Sequence, residues 1–222
     1  MNFVTAMKAF WSNFFRSMGR ALRSGHWKES SNSMYQTYPN WFDITARANF
    51  ERFLMPLSGK KLTALQIGAY TGDATEWLFT NVLSHPESSL VDVDTWQGSN
   101  EKVHREMNWR SIESVYDSKT VGFIPKLTKH KSTSDEFFKD NFRTFDFIYI
   151  DGDHTAAAVL KDGVNAIRVV APLGIIAFDD YTWRSGKGPK FDPQPAIDEI
   201  VVRFAAEFEV LEAGAQVWLR KK

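Results

Sequence analysis

Three apolar runs in this chain stop on polar residues of a restricted kind. Leu65-Gln66-Ile67 gives way to Gly68-Ala69-Tyr70-Thr71-Gly72, Ile150 to Asp151-Gly152-Asp153-His154, and Phe178 to Asp179-Asp180-Tyr181. Short apolar runs bounded by turn residues read as buried strands, and the stretches between them carry helical spacing. Strands alternating with helices predict an open α/β sheet. Ligands of such sheets collect at the carboxyl ends of the strands. The three turns are therefore expected to meet at one site, glycines on one side and carboxylates on the other. That pairing suits a nucleoside-like cofactor beside a divalent metal.

The first strand is expected at 62–67 and a helix at 73–83, with Ala74, Trp77, Leu78 and Val82 inward. A strand, a glycine turn and a helix N-terminus aim backbone N–H groups at a ligand. Gly68, Ala69, Tyr70 and Gly72 are thus candidate cofactor contacts, with Gln66 just ahead of them. The spacing is G-x-x-x-G, not the G-x-G-x-x-G of dinucleotide-binding turns, and such a turn alone can be a plain connection. The second strand, 89–94, ends on Asp92-Val93-Asp94. An acid at this tip, about 20 residues past the glycine turn, is the usual partner of a ribose hydroxyl pair. Asp94 is the first candidate and Asp92 the reserve. Asp92-Val93-Asp94 also has the D-x-D form by which nucleotide-sugar glycosyltransferases hold a metal, a competing reading.

Residues 97–125 are polar and predict a helix with Trp109, Ile112 and Val115 on one side. A third strand at 126–130 has a poor composition for a buried one. Ser132 and Thr133 behind it either touch an adenine edge or cap the helix from Ser134, capping being the simpler role. The fourth strand, 145–150, delivers Asp151, Asp153 and His154; a helix at 159–170 stops at Pro172; the strand 174–178 delivers Asp179 and Asp180. If those two strands adjoin, Asp151, Asp179 and Asp180 converge, and three carboxylates so close repel unless a cation compensates them. Oxygen donors in a chain without cysteine favour a hard ion, Mg²⁺ first, then Mn²⁺ or Ca²⁺. Lys+Arg and Asp+Glu both number 27, so no global field favours nucleic acid, and none is expected as a partner.

Ahead of these motifs, Phe3, Val4, Met7, Phe10, Trp11, Phe14, Phe15, Met18 and Leu22 recur at helical spacing beside Lys8, Arg16, Arg20 and Arg23. A basic amphipathic helix over 1–24 packs on protein, including a second copy of the chain, or lies on an anionic membrane. A polar linker and a second helix at 41–54, ended by Pro56, complete an extension of residues 1–56 before a main domain of 57–222. No apolar run approaches the roughly 20 residues that span a bilayer or forms the unbroken centre of a signal peptide. The expected location is the cytoplasm, with membrane contact only through the leading helix.

In order and spacing, the Gly68-to-Gly72 turn, Asp94-Thr95-Trp96, Asp151-Gly152-Asp153-His154 and Phe178-Asp179-Asp180-Tyr181 resemble the class I S-adenosylmethionine-dependent methyltransferases. Within that family the likeness is to the metal-dependent O-methyltransferases that include macrocin-type sugar enzymes. The resemblance runs from about Leu62 onward. It implies a Rossmann-like, seven-stranded, mostly parallel sheet with helices on both faces, its last strands near 207–211 and 215–219. It implies S-adenosylmethionine bound by the glycine turn, Asp94 or Asp92, Ser132 and Asp151, and a metal on Asp151, Asp179 and Asp180. His154 becomes the general base, with Asp153 second; the alternative for His154 is to orient Asp151. Tyr181, Trp183 and the 184–190 loop fall where an acceptor pocket or lid would lie. The acceptor implied is a hydroxyl of a sugar, glycan or other vicinal-diol small molecule. One departure stands out: the family usually has Glu or Asp where this chain has Gln66. An amide cannot pair with the cofactor's ammonium as an anion would, which leaves a catalytically silent binding protein as a further alternative.

Overall fold

A computed structural model describes residues 38–99 and 101–222. The leading amphipathic stripe and most of the linker lie outside the described residues. The strands β1 (Thr63–Ile67), β2 (Ser89–Asp94), β3 (Leu127–Lys131), β4 (Phe145–Ile150), β5 (Val170–Phe178), β6 (Phe208–Ala213) and β7 (Val217–Lys221) form one sheet. Its order is β3-β2-β1-β4-β5-β7-β6. Only β7 runs against its neighbours, β5 and β6. This is the seven-stranded, mostly parallel sheet expected. Strand order reverses between β1 and β4, and a crevice opens at such a switch point.

Side-chain alternation along the strands supplies two cores. Leu65, Ile67, Ile148, Ile150, Ile176 and Phe178 face one side, while Ala64, Phe147, Tyr149, Ile175 and Ala177 face the other. The helices are α1 (Trp41–Thr45), α2 (Arg47–Leu54), α3 (Asp73–Asn81), α4 (Lys102–Arg105), α5 (Trp109–Thr120), α6 (Ser134–Asp140), α7 (Ala156–Val169) and α8 (Gln194–Arg203). The first core is covered by Phe137 and Phe138 of α6, Val159 and Ile167 of α7, and Ile197 and Ile200 of α8. The second is covered by Phe42, Phe50 and Leu54 of α1 and α2 with Trp77 and Leu78 of α3. Residues 38–222 make one compact unit, and the second helix expected in the extension, at 41–54, shares the core of the sheet.

Several boundaries differ from expectation for local reasons. The single helix expected at 41–54 breaks at Ala46, whose φ is −107°; its N–H still reaches the Phe42 carbonyl, so Phe42, Ala46, Phe50 and Leu54 stay on one buried face. The 97–125 stretch holds two helices, α4 and α5, and α5 buries Ile112, Tyr116 and Thr120, leaving Val115 and Trp109 half-buried. β3 is an edge strand, which is why it carries Lys129, His130 and Lys131; charged residues on an edge discourage pairing with other chains. The helix expected at 159–170 starts earlier, at Ala156, because Thr155 caps it. Among the described residues no helix is long and apolar enough to cross a membrane.

Candidate active site

The ladder continues past the strand ends and draws the turns together. The Gly68 N–H donates to Val93 O, Asp151 N–H to Ile67 O, Asp179 N–H to Ile150 O and Ser132 N–H to Asp94 O. Gly68 has φ +85°, and a Cβ there would lie 1.9 Å from the Asp151 carbonyl oxygen. The sequence suggests that glycine makes room for a ligand; the closest demand on Gly68 is the backbone of the β4 tip. Gly72, at φ +81°, opens α3 directly beneath Tyr116.

Asp94 braces this turn. Its Oδ2 accepts from the N–H groups of Ala69 (2.8 Å) and Tyr70 (3.0 Å), and its Oδ1 from Trp96 N–H (2.7 Å). A carboxylate offers about four acceptor positions, so Oδ1 keeps capacity for a ribose hydroxyl. Asp92 has a different fate. It is fully buried, its Oδ2 accepts from Thr75 Oγ1 (2.7 Å) and Tyr116 Oη (2.8 Å), and its Oδ1 has no partner among the described residues. Burial pushes its carboxyl up to about 7, against the hydrogen bonds from Thr75 and Tyr116. Asp92 therefore belongs to the core, which corrects its reserve role toward ribose. It also removes the D-x-D reading, since only Asp94 reaches the strand tip. Gln66, 2% exposed, sits opposite Asp92 in register and donates its amide to Gly68 O (2.8 Å). It supports the turn from below.

Tyr70, at φ +50°, stacks on Trp41 with centroids 4.7 Å apart and meets Trp109 edge-on. Helix α1 thus forms one wall of the glycine turn. Ser132, at the end of β3, contacts His130 Nδ1 and donates to Thr133 O. Thr133 and Glu136 form a capping box for α6, so capping is Thr133's role, while Ser132 stays beside the Asp94 tip.

The acids converge differently from expectation. Asp151, His154 and Asp180 present ligand atoms all within 4.8 Å of one another. Asp179 is turned from this group: its Oδ2 accepts from Tyr149 Oη (2.5 Å), and its Oδ1 from Gln216 Nε2 (3.0 Å) and Asp180 N–H (2.8 Å). The expected trio of carboxylates is replaced by two carboxylates and an imidazole because Tyr149, Gln216 and the Asp180 N–H hold both Asp179 oxygens. His154 Nε2 lies 3.2 Å from Asp180 Oδ2 and 3.7 Å from Asp151 Oδ1, and Nδ1 lies 2.9 Å from Glu101 Oε1. None of these contacts is aligned as a hydrogen bond. Burial alone would lower the His154 pKa, but Asp180, Asp151 and Glu101 outweigh it and hold the ring well above the ordinary histidine range. Burial and the neighbouring acids, Asp179 included, raise the carboxyls of Asp151 and Asp180. Such a set, with its negative charge poorly compensated, fits a hard divalent cation by donor type. Asp153 is exposed and its Oδ1 accepts from Thr155 N–H in the turn before α7 (2.8 Å), a turn role in place of the second-base role.

Glu101 was not legible in the sequence; it stands in a polar stretch and gains meaning only by lying against His154. The Trp183 ring sits 5.0 Å from His154. Arg184 ties the following loop down by donating to the carbonyls of Tyr181 and Trp183, and Asp192 accepts from Ser185 N–H and Oγ.

A family model described as a methyltransferase domain matches residues 65–181, the segment from β1 through the last acidic tip. The chain belongs to this family. The methyltransferase also matches solved structures in fold. An O-methyltransferase from Bacillus cereus, in complex with SAH, is 14% identical, with 87% of this chain and 86% of that one covered and a TM-score of 0.57. The O-methyltransferase TomG from Streptomyces achromogenes, involved in tomaymycin synthesis and in complex with SAM, is 13% identical over 86% and 94% of the two chains, TM-score 0.56. MycE methyltransferase of the mycinamycin pathway, in complex with Mg, SAH and mycinamycin VI, is 14% identical, TM-score 0.56; the match covers 84% of this chain and 50% of MycE. No curated protein matches the methyltransferase in sequence.

Proposed function

We propose that this methyltransferase uses S-adenosylmethionine to methylate a hydroxyl of a sugar, glycan or other vicinal-diol acceptor with the help of a divalent cation. The observation that carries the reading is the cluster Asp151–His154–Asp180 at the sheet edge that also holds the Gly68 turn and Asp94. The cofactor's nucleoside would lie along the glycine turn, its ribose on Asp94 and its adenine toward Ser132. The N-terminus of α3, opened by Gly72, would offer N–H groups to the carboxylate end. SAM- and SAH-bound O-methyltransferases of the same fold, and MycE with Mg, support the assignment by likeness.

The sulfonium makes the methyl electrophilic, so the protein's tasks are to orient an acceptor oxygen in line and to remove its proton. A cation held by Asp151 and Asp180 would chelate neighbouring acceptor oxygens and lower the pKa of the attacking one. With Nδ1 of His154 beside Glu101, Nε2 would be the nitrogen that takes the hydroxyl proton. His154 can be neutral, as this role needs, once the charge of the surrounding carboxylates is compensated. Trp183 beside His154 gives a flat apolar wall suited to a sugar or catechol ring.

The test is transfer of labelled methyl from S-adenosylmethionine to a panel of sugars and catechols, with and without EDTA. Transfer to a diol, lost with EDTA and restored by Mg²⁺ or Mn²⁺, is expected. His154→Ala should lower kcat by about 10²–10⁴-fold, the usual range for a lost general base, and Asp151→Asn should remove the cation dependence. Methylation indifferent to EDTA and to Asp151→Asn would contradict the metal-assisted reading.

A further inference from the structure

Beneath the acid cluster runs a buried polar chain that the transfer chemistry above does not use. Asn49, on α2, donates from Nδ2 to Gln216 Oε1 (2.9 Å), and Trp218 Nε1 donates to the same oxygen (2.9 Å). Gln216 Nε2 then donates to Asp179 Oδ1 (3.0 Å), while Tyr149 Oη donates to Asp179 Oδ2 (2.5 Å) and lies 3.4 Å from Asp151 Oδ2. Gln216 and Trp218 are fully buried and Tyr149 is 1% exposed. The orientation of the Gln216 amide is forced: an indole N–H is only ever a donor, so the atom facing Trp218 must be the oxygen. Nε2 is left to face Asp179.

We propose that Gln216 is a positioning residue for Asp179, its amide locked by Asn49 and Trp218, so that helix α2 and strand β7 set the geometry of the acid cluster. Asp179 shares a peptide bond with Asp180 and accepts its N–H; Tyr149 links it to Asp151. A carboxylate gripped on both oxygens has one orientation, and its neighbours inherit that order. Asn49, Gln216 and Trp218 all fall outside the 65–181 segment that defines the family match, so this support is a property of the flanking elements. Groups that orient metal ligands in this way typically change metal affinity by about 10–100-fold when removed.

The inference about affinity rests on the proposed cation site, and the experiment separates the two. Mn²⁺ binding is measured by electron paramagnetic resonance for the wild type, Gln216→Met and Asn49→Asp, alongside thermal unfolding and crystal structures of each. Gln216→Met keeps chain length and burial but presents no donor to Asp179; affinity should fall about tenfold or more, and the Asp179 carboxylate should leave its present orientation. Asn49→Asp, at a half-buried helix position, sets an acceptor against Gln216 Oε1 and tests the lock even if Gln216→Met fails to fold. It should weaken Mn²⁺ binding in the same direction by a smaller factor. Variants that fold, bind Mn²⁺ as the wild type does and keep Asp179 in place would overturn the proposal. A wild type that binds no Mn²⁺ would count against the cation site instead, and the Asp179 orientation in the variant crystals would then decide the positioning role alone.

Discussion

Asp92 is a carboxyl whose position makes sense only through its neighbours. Its native pKa is raised to about 7 by burial, so the folded state holds its proton more tightly than the unfolded chain does. Stability from this group is therefore full below the unfolded carboxyl range near pH 4 and is lost as pH rises through about 7. Urea unfolding should show the wild type losing a few kcal/mol, on the order of 3, between pH 4 and pH 8 relative to Asp92→Asn; parallel pH profiles would contradict the assignment. The same geometry explains Gln66. Its cross-strand neighbour is Asp92, and a second buried acid beside it would add repulsion and lose the donor to Gly68 O. Gly68→Ala sets a Cβ against the Asp151 carbonyl at a φ that favours glycine. It should destabilise the fold by about 3 kcal/mol or more and abolish SAH binding in calorimetry, since the β1 and β4 tips must separate.

The strands and the helices after them were legible because each carries its own period or its own punctuation. Phe145-Asp146-Phe147-Ile148-Tyr149-Ile150 reads as a strand without help, and its tip carries Asp151 and His154 as the sequence suggests. What the sequence hid are contacts made across it: Glu101 on His154, Gln216 on Asp179, Trp41 on Tyr70. These join residues 37 to 53 positions apart or 29 apart, and no local pattern announces them. Asp179 shows the consequence. Its place after β5 marks it as a ligand, yet Tyr149 and Gln216 hold both of its oxygens. Helix α2 is the other element whose role emerged only in three dimensions. Phe50, fully buried, meets Trp77, Phe147, Tyr149 and Trp218 edge-on. Phe50→Ala should cost about 3–5 kcal/mol in chemical denaturation; a loss below about 1 kcal/mol would mean that α2 is an appendage.

At the scale of the whole molecule, the sheet order places the glycine turn and the first acidic tip on either side of the β1–β4 switch point, with β2 and β5 bringing Asp94 and Asp180 from each flank. The carboxyl end of the sheet thus combines the N-terminus of α3, a ribose-type acceptor and a cluster of oxygens and nitrogen whose negative charge is poorly compensated. The two flanking regions outside the family match back this site, Trp41 of α1 against Tyr70 and Gln216, just ahead of β7, against Asp179. The most direct measurement is a crystal structure grown with S-adenosylhomocysteine and Mn²⁺, read by anomalous scattering at the manganese edge. The account predicts the nucleoside along residues 68–72 with its ribose on Asp94, and an anomalous peak bounded by Asp151 and Asp180. Nucleoside density elsewhere, or manganese away from those carboxylates, would contradict it.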